Sequence, residues 1–97
     1  MIQEEYQVDW DRVRSLEQRS DLKTKTGKPF FISRVTESIV FIDLPSGEQS
    51  VCRANLERAE RLVLSGTRLE GPLDYRRLVA DERPAYAWAI LCQLGIV

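Results

Sequence analysis

The chain contains no histidine. Without imidazole, neither a Ser-His-Asp nor a Cys-His relay forms within it. Imidazole ligation of a metal and imidazole acid–base catalysis fall with the same absence. Cysteine is scarce: Cys52 and Cys92 stand apart, neither in a Cys-x-x-Cys pair, so no zinc set is completed. Both read as small buried hydrophobes. A disulfide stays open, because pairing depends on geometry. The few glycines form no Gly-x-Gly-x-x-Gly. Lys23–Lys28, KTKTGK, lacks the upstream glycine of a phosphate-binding loop, and Lys28 precedes Pro29 and a strand pattern, where that loop needs Ser or Thr and a helix. The segment therefore reads as a solvated basic loop, with a phosphate backbone as the functional alternative. No apolar run approaches the ~20 residues of a membrane span. Met1–Asp11 is acidic and polar, unlike a signal peptide. The expected location is cytoplasmic.

Charge of either sign is not in excess. Fourteen basic residues meet fifteen acidic ones, a net charge of −1, which argues against a globally basic nucleic-acid module and leaves room only for a local patch. Carboxylates do come in neighbours: Glu4-Glu5, Glu57 with Glu60, Asp81-Glu82. Each falls where helix ends and solvated faces carry acids, and nothing marks the convergence that a magnesium site requires. The expectation is a chain without catalytic residues, cofactor or metal site.

What is present is a sheet signal. Lys28–Arg53, KPFFISRVTESIVFIDLPSGEQSVCR, reads as three short antiparallel strands. Phe30–Val35 and Ser38–Leu44 are rich in aromatic and β-branched residues, which suit a pleated surface. Thr36-Glu37 is a polar hairpin connection. Pro45 presets φ at the next turn, and Gly47 tolerates φ > 0. Ile39–Ile42 is a continuous apolar run, which places this strand in the centre. Glu48–Arg53 returns as an edge.

Helical patterns flank the sheet. After a lead-in over Met1–Gln7, a helix begins near Asp9 as N-cap, with Val8 and Val13 placed for a hydrophobic staple. Tyr6, Trp10, Val13 and Leu16 make its apolar stripe. Ala54–Ser65 is a second helix, with Asn55 as N-cap, an inward stripe of Leu56, Ala59, Leu62 and Val63, a Glu57–Arg61 pair, and Gly66 at its close. Thr67–Glu70 is extended, an open fourth strand. Pro72 starts a third helix at the position where its missing N–H is not needed. Leu73, Tyr75, Leu78 and Val79 are that helix's apolar residues. Asp81 or Arg83 starts the last helix, with Pro84 tolerated in its first turn; its stretch Ala85–Leu94 is apolar almost all round, and Gly95 ends it. Such a helix is buried in its own domain or covered by a second chain. The fold class is α+β in one domain over 1–97: an N-terminal helix, a three-stranded antiparallel meander, and C-terminal helices packed on it.

Thr26–Val35 (TGKPFFISRV), the strand IVFID, the SG turn followed by VCRANLERA, and RPAYAWAILCQL together resemble a small, poorly characterised domain found beside bacterial restriction and HNH-type nucleases. The resemblance covers about three quarters of the chain. It implies an accessory or binding module and transfers no catalytic residue.

Two functions remain as expectations. One is a non-catalytic module that assembles with itself as a homodimer or with a protein partner, through Tyr86, Trp88 and Leu91, since aromatic anchors dominate interfaces. The other is nucleic-acid binding, which needs Lys23, Lys25, Lys28, Arg34 and Arg53 to converge beside the sheet.

Overall fold

The computed structural model describes residues 8–97. The lead-in Met1–Gln7, and Tyr6 with it, lie outside the described residues. The order of elements is α1 (Trp10–Arg14), β1 (Phe31–Val35), β2 (Ile39–Leu44), β3 (Gly47–Cys52), α2 (Arg53–Leu64), α3 (Pro72–Leu78) and α4 (Pro84–Gln93). This is the α+β arrangement expected, with β2 in the centre of a sheet ordered β1-β2-β3.

Both sheet pairings are antiparallel. Residues alternate between faces, and Ile32, Val35, Val40, Ile42 and Val51 form the buried face. Ile39 and Phe41, on the other face of β2, are only half-buried. The continuous apolar run thus marks a central strand covered fully on one side. A register shift at Ile32/Arg34 lets β1 bury Ile32 and Val35, three residues apart, on the same face.

The helices follow from their ends. Asp9 caps α1, its side chain accepting from the Arg12 N–H at 3.3 Å, and Val8 and Val13 are both buried as a staple requires. The helix is short, so Leu16 reaches the core from the turn that follows. Both long helices stop at a left-handed glycine. Gly66 (φ 102°) ends α2 with Gly66 N–H to Val63 O and Thr67 N–H to Leu62 O. Gly95 (φ 78°) ends α4 with the same pair of bonds, to Cys92 O and Leu91 O. The Arg12 guanidinium then donates to Leu94 O at 2.9 Å and Gln93 O at 3.1 Å, tying α1 to the carbonyl end of α4.

Several expectations change. The N-cap of α2 is Cys52, and Asn55 lies inside the first turn. Glu57 pairs with Arg53 at 3.1 Å, not with Arg61. Thr67–Glu70 is irregular and joins no ladder among the described residues, so the open fourth strand does not form. Three of its peptide groups are taken by side chains: Leu69 O by the Trp88 indole, Glu70 O by Lys25, and the Glu70 N–H by Asp74. Leu73 stands 65% exposed and Leu78 is exposed too, so α3 inserts mainly Tyr75, followed by Val79 just past its end. Leu22, inside the polar loop, is fully buried. Cys52 and Cys92 are both free thiols. No helix among the described residues is long and apolar enough to cross a membrane.

Candidate functional site

The last helix packs on α3 and sends its buried residues into the common core, and this decides the fate of the aromatic set. Leu91 is fully buried, together with Ala87, Ala89 and Ile90. It is a core residue and does not reach a free surface. Trp88 is half-buried, its indole N–H donating to Leu69 O at 3.2 Å and its ring 5.4 Å from the Lys25 ammonium. Tyr86 is also half-buried, and meets Phe30 edge-on at 5.3 Å. Of the three, Tyr86 alone lines a cleft.

That cleft has a volume of about 370 Å³ and is lined by Lys28, Pro29, Leu44, Pro45, Ser46 and Tyr86. Its walls are set by local chemistry. The loop before β1 closes on itself: Thr24 N–H donates to Lys28 O at 2.9 Å, and Lys28 N–H donates to the Thr24 hydroxyl at 3.1 Å. Gly27 (φ 89°) turns the chain between them. Leu22 anchors this loop in the core, with Phe30 N–H donating to Leu22 O at 3.0 Å. Across the cleft, Pro45-Ser46 is the two-residue connection between β2 and β3, with Leu44 paired to Gly47. Two prolines with fixed φ make both walls stiff. The lining carries one cation, Lys28, and no acid. A mostly apolar hollow of this size with few polar groups suits a bound side chain or small ligand.

The five basic residues do not converge. Lys23 pairs with Pro29 and so sits with Lys28 near the cleft. Lys25 turns away to Glu70 O at 2.7 Å and the Trp88 face. Arg34 stacks over Phe41 at 4.0 Å, with Glu48 also 4.0 Å away. Arg53 sits at the opposite end of the sheet: it donates to Glu37 O at 3.0 Å, pairs with Glu57, and covers the Trp10 ring at 4.7 Å. Two of the five are therefore matched by carboxylates, and the sheet's length separates Arg53 from Lys28.

A second polar cluster lies at the start of α2. Glu82 Oε1 accepts from Cys52 N–H at 3.1 Å and from the Asn55 amide at 2.8 Å. Beside it the Tyr75 hydroxyl is buried with no hydrogen-bond partner among the described residues. Burial, then the Glu82 carboxylate and Cys52, push this phenol well above its ordinary value. The folded chain thus holds the phenolic proton more tightly than the unfolded one. The stability this proton confers is complete below about pH 10 and is lost as pH rises beyond it. Urea midpoints should therefore show no change from Tyr75 up to about pH 10 and a fall above it, and Tyr75→Phe should reduce that fall. At neutral pH the same substitution removes an unpartnered group and should leave stability level or slightly higher.

Sequence reasoning identified Tyr86 and Lys28 but assigned them to different functions. It missed Pro29, Leu44, Pro45 and Ser46 as cleft residues, because each served a local role as turn or strand end. Glu82 was seen only as half of a solvated acidic pair.

No family model, no curated protein and no solved structure matches the chain.

Proposed function

We propose that the chain is a small non-catalytic protein-interaction module, and that its cleft takes an extended apolar segment of a partner protein bearing an acidic residue. The observation that carries this reading is the cleft itself: stiff, apolar, and rimmed by Lys28 with no carboxylate in its lining. An apolar side chain of the partner fills the space beside Tyr86, and a neighbouring carboxylate meets the Lys28 ammonium. The sequence resemblance to a domain beside nucleases fits an accessory part of this kind.

The test is a titration of ¹⁵N-labelled protein with short peptides that alternate leucine or proline with glutamate. Shifts should gather at Lys28, Leu44, Ser46 and Tyr86. Tyr86→Ala should abolish them. Lys28→Glu should weaken binding about tenfold, the ~1.4 kcal/mol expected of a rim charge pair with some desolvation. Peptides with lysine in place of glutamate should bind less well than the acidic set. Shifts confined to another surface, or none with any acidic peptide at millimolar concentration, would end the proposal.

A further inference from the structure

The two edges of the sheet are treated differently, and the difference points to a partner. Along β1 the outward peptide groups are covered. Gln18 N–H donates to Ile32 O at 2.9 Å, and Val35 N–H donates to the Glu17 carboxylate at 2.6 Å. Arg14 reaches Val35 O. These contacts close the edge, as natural sheets do to prevent unwanted pairing.

Along β3 the described residues cover only the last outward N–H, that of Cys52, which Glu82 takes at 3.1 Å. The register Leu44↔Gly47, Ile42↔Gln49, Val40↔Val51 turns the peptide groups of Gly47, Gln49 and Val51 toward β2. Those of Glu48, Ser50 and Cys52 therefore face outward. The phase is confirmed at Cys52, whose N–H leaves the sheet to meet Glu82. The N–H and C=O of Glu48 and of Ser50 have no partner among the described residues. The strand, GEQSVC, contains neither proline nor lysine, the usual edge protectors.

We infer that β3 pairs antiparallel with β3 of a second copy of this chain, joining two sheets into one across a twofold axis at Gln49. The outward groups allow this register directly. Glu48 of one copy faces Ser50 of the other and exchanges both N–H···O=C bonds with it, and the symmetric pair does the same. The alternative register centred on Ser50 would need the Cys52 N–H, which Glu82 already holds. The chosen register is self-complementary in its side chains. The two half-buried Gln49 amides meet at the axis and can hydrogen-bond each other. No like charges stand directly opposite, and each Glu48 keeps its own Arg34 at 4.0 Å. The edge is short, so the dimer is a weak one.

Light scattering over a concentration series up to about 1 mM should show the mass rising toward twice that of the chain. Ser50→Pro removes an outward N–H and leaves the β2 ladder intact, the one kind of strand position that accepts proline. It should remain monomeric at every concentration while keeping the circular dichroism of the parent. A dimer that persists in folded Ser50→Pro overturns the inference, as does a parent that stays monomeric throughout. Should Ser50→Pro fail to fold, amide exchange of the parent decides. Protection of the Glu48 and Ser50 N–H groups that grows with concentration supports the pairing. Protection independent of concentration, or none at all, defeats it.

Discussion

Leu91→Ala should lower the unfolding free energy by about 2–5 kcal/mol, the range for removing a large apolar side chain from a packed core. Leu91 is fully buried on α4, beside Ile90, in the same hydrophobic core as Ile32, Val40 and Ile42. A domain of this size is stable by only about 5–15 kcal/mol in total, so the variant should sit close to its unfolding transition at 37 °C. The contrast is Tyr86→Ala. That side chain is half-buried and its main partner is the edge of Phe30. Its loss should cost about 1–3 kcal/mol, the half-buried ring area plus the edge contact, while removing one wall of the cleft. Urea titration separates the two: a large fall in midpoint with unchanged slope for Leu91→Ala, a smaller one for Tyr86→Ala. If Leu91→Ala folds with parental stability and loses only self-association, Leu91 belongs to an interface and its placement in the core is wrong.

The pair also shows what could be read from sequence. Ala85–Leu94 announced burial through its lack of a polar face, and that was right for its centre. The pattern could not say which of Tyr86, Trp88 and Leu91 would be left at the surface, because a helix apolar all round carries no direction. Direction comes from the α3 helix on which it packs and from Arg12, which clasps the helix's carbonyl end from a site 82 residues earlier. The strands were legible because Phe30–Val35 and Ile39–Ile42 concentrate the residues that favour a pleated surface. Leu22 was not, since one apolar residue among SDLKTKTGK makes no period. Leu73 failed the other way: it fits a helical stripe, yet α3 inserts Tyr75 and leaves Leu73 in solvent. The cleft escaped notice for a related reason. Its residues come from a loop, a hairpin turn and a helix, and only the tertiary fold puts them on one hollow.

Glu82→Ala should cost about 1–3 kcal/mol, and the reason is a cap supplied from a distance. Asn55 looked like the N-cap of α2 because amide side chains favour that position. The N-cap is instead Cys52, three residues earlier, and its side chain makes no capping bond. The vacancy is filled from the segment between α3 and α4. Glu82 Oε1 takes the Cys52 N–H at 3.1 Å and the Asn55 amide at 2.8 Å, so one carboxylate satisfies an edge peptide and a first-turn side chain together. Its negative charge also lies at the positive end of the helix. Removing it strands two donors in a half-buried place, each worth about 1–3 kcal/mol if dry and less where water enters. The conservative change discriminates between causes. Glu82→Gln retains an acceptor oxygen and should recover more than half of the loss if the hydrogen bonds dominate. If it is as damaging as alanine, the charge at the helix end is the larger effect. The site also joins two parts of the fold, since Glu82 is carried by the C-terminal helices and its partners by the sheet and α2. Amide exchange in α3 and α4 should therefore accelerate in Glu82→Ala more than exchange in β2. Equal acceleration everywhere would mean that Glu82 contributes only to global stability and does not hold the helical pair in place.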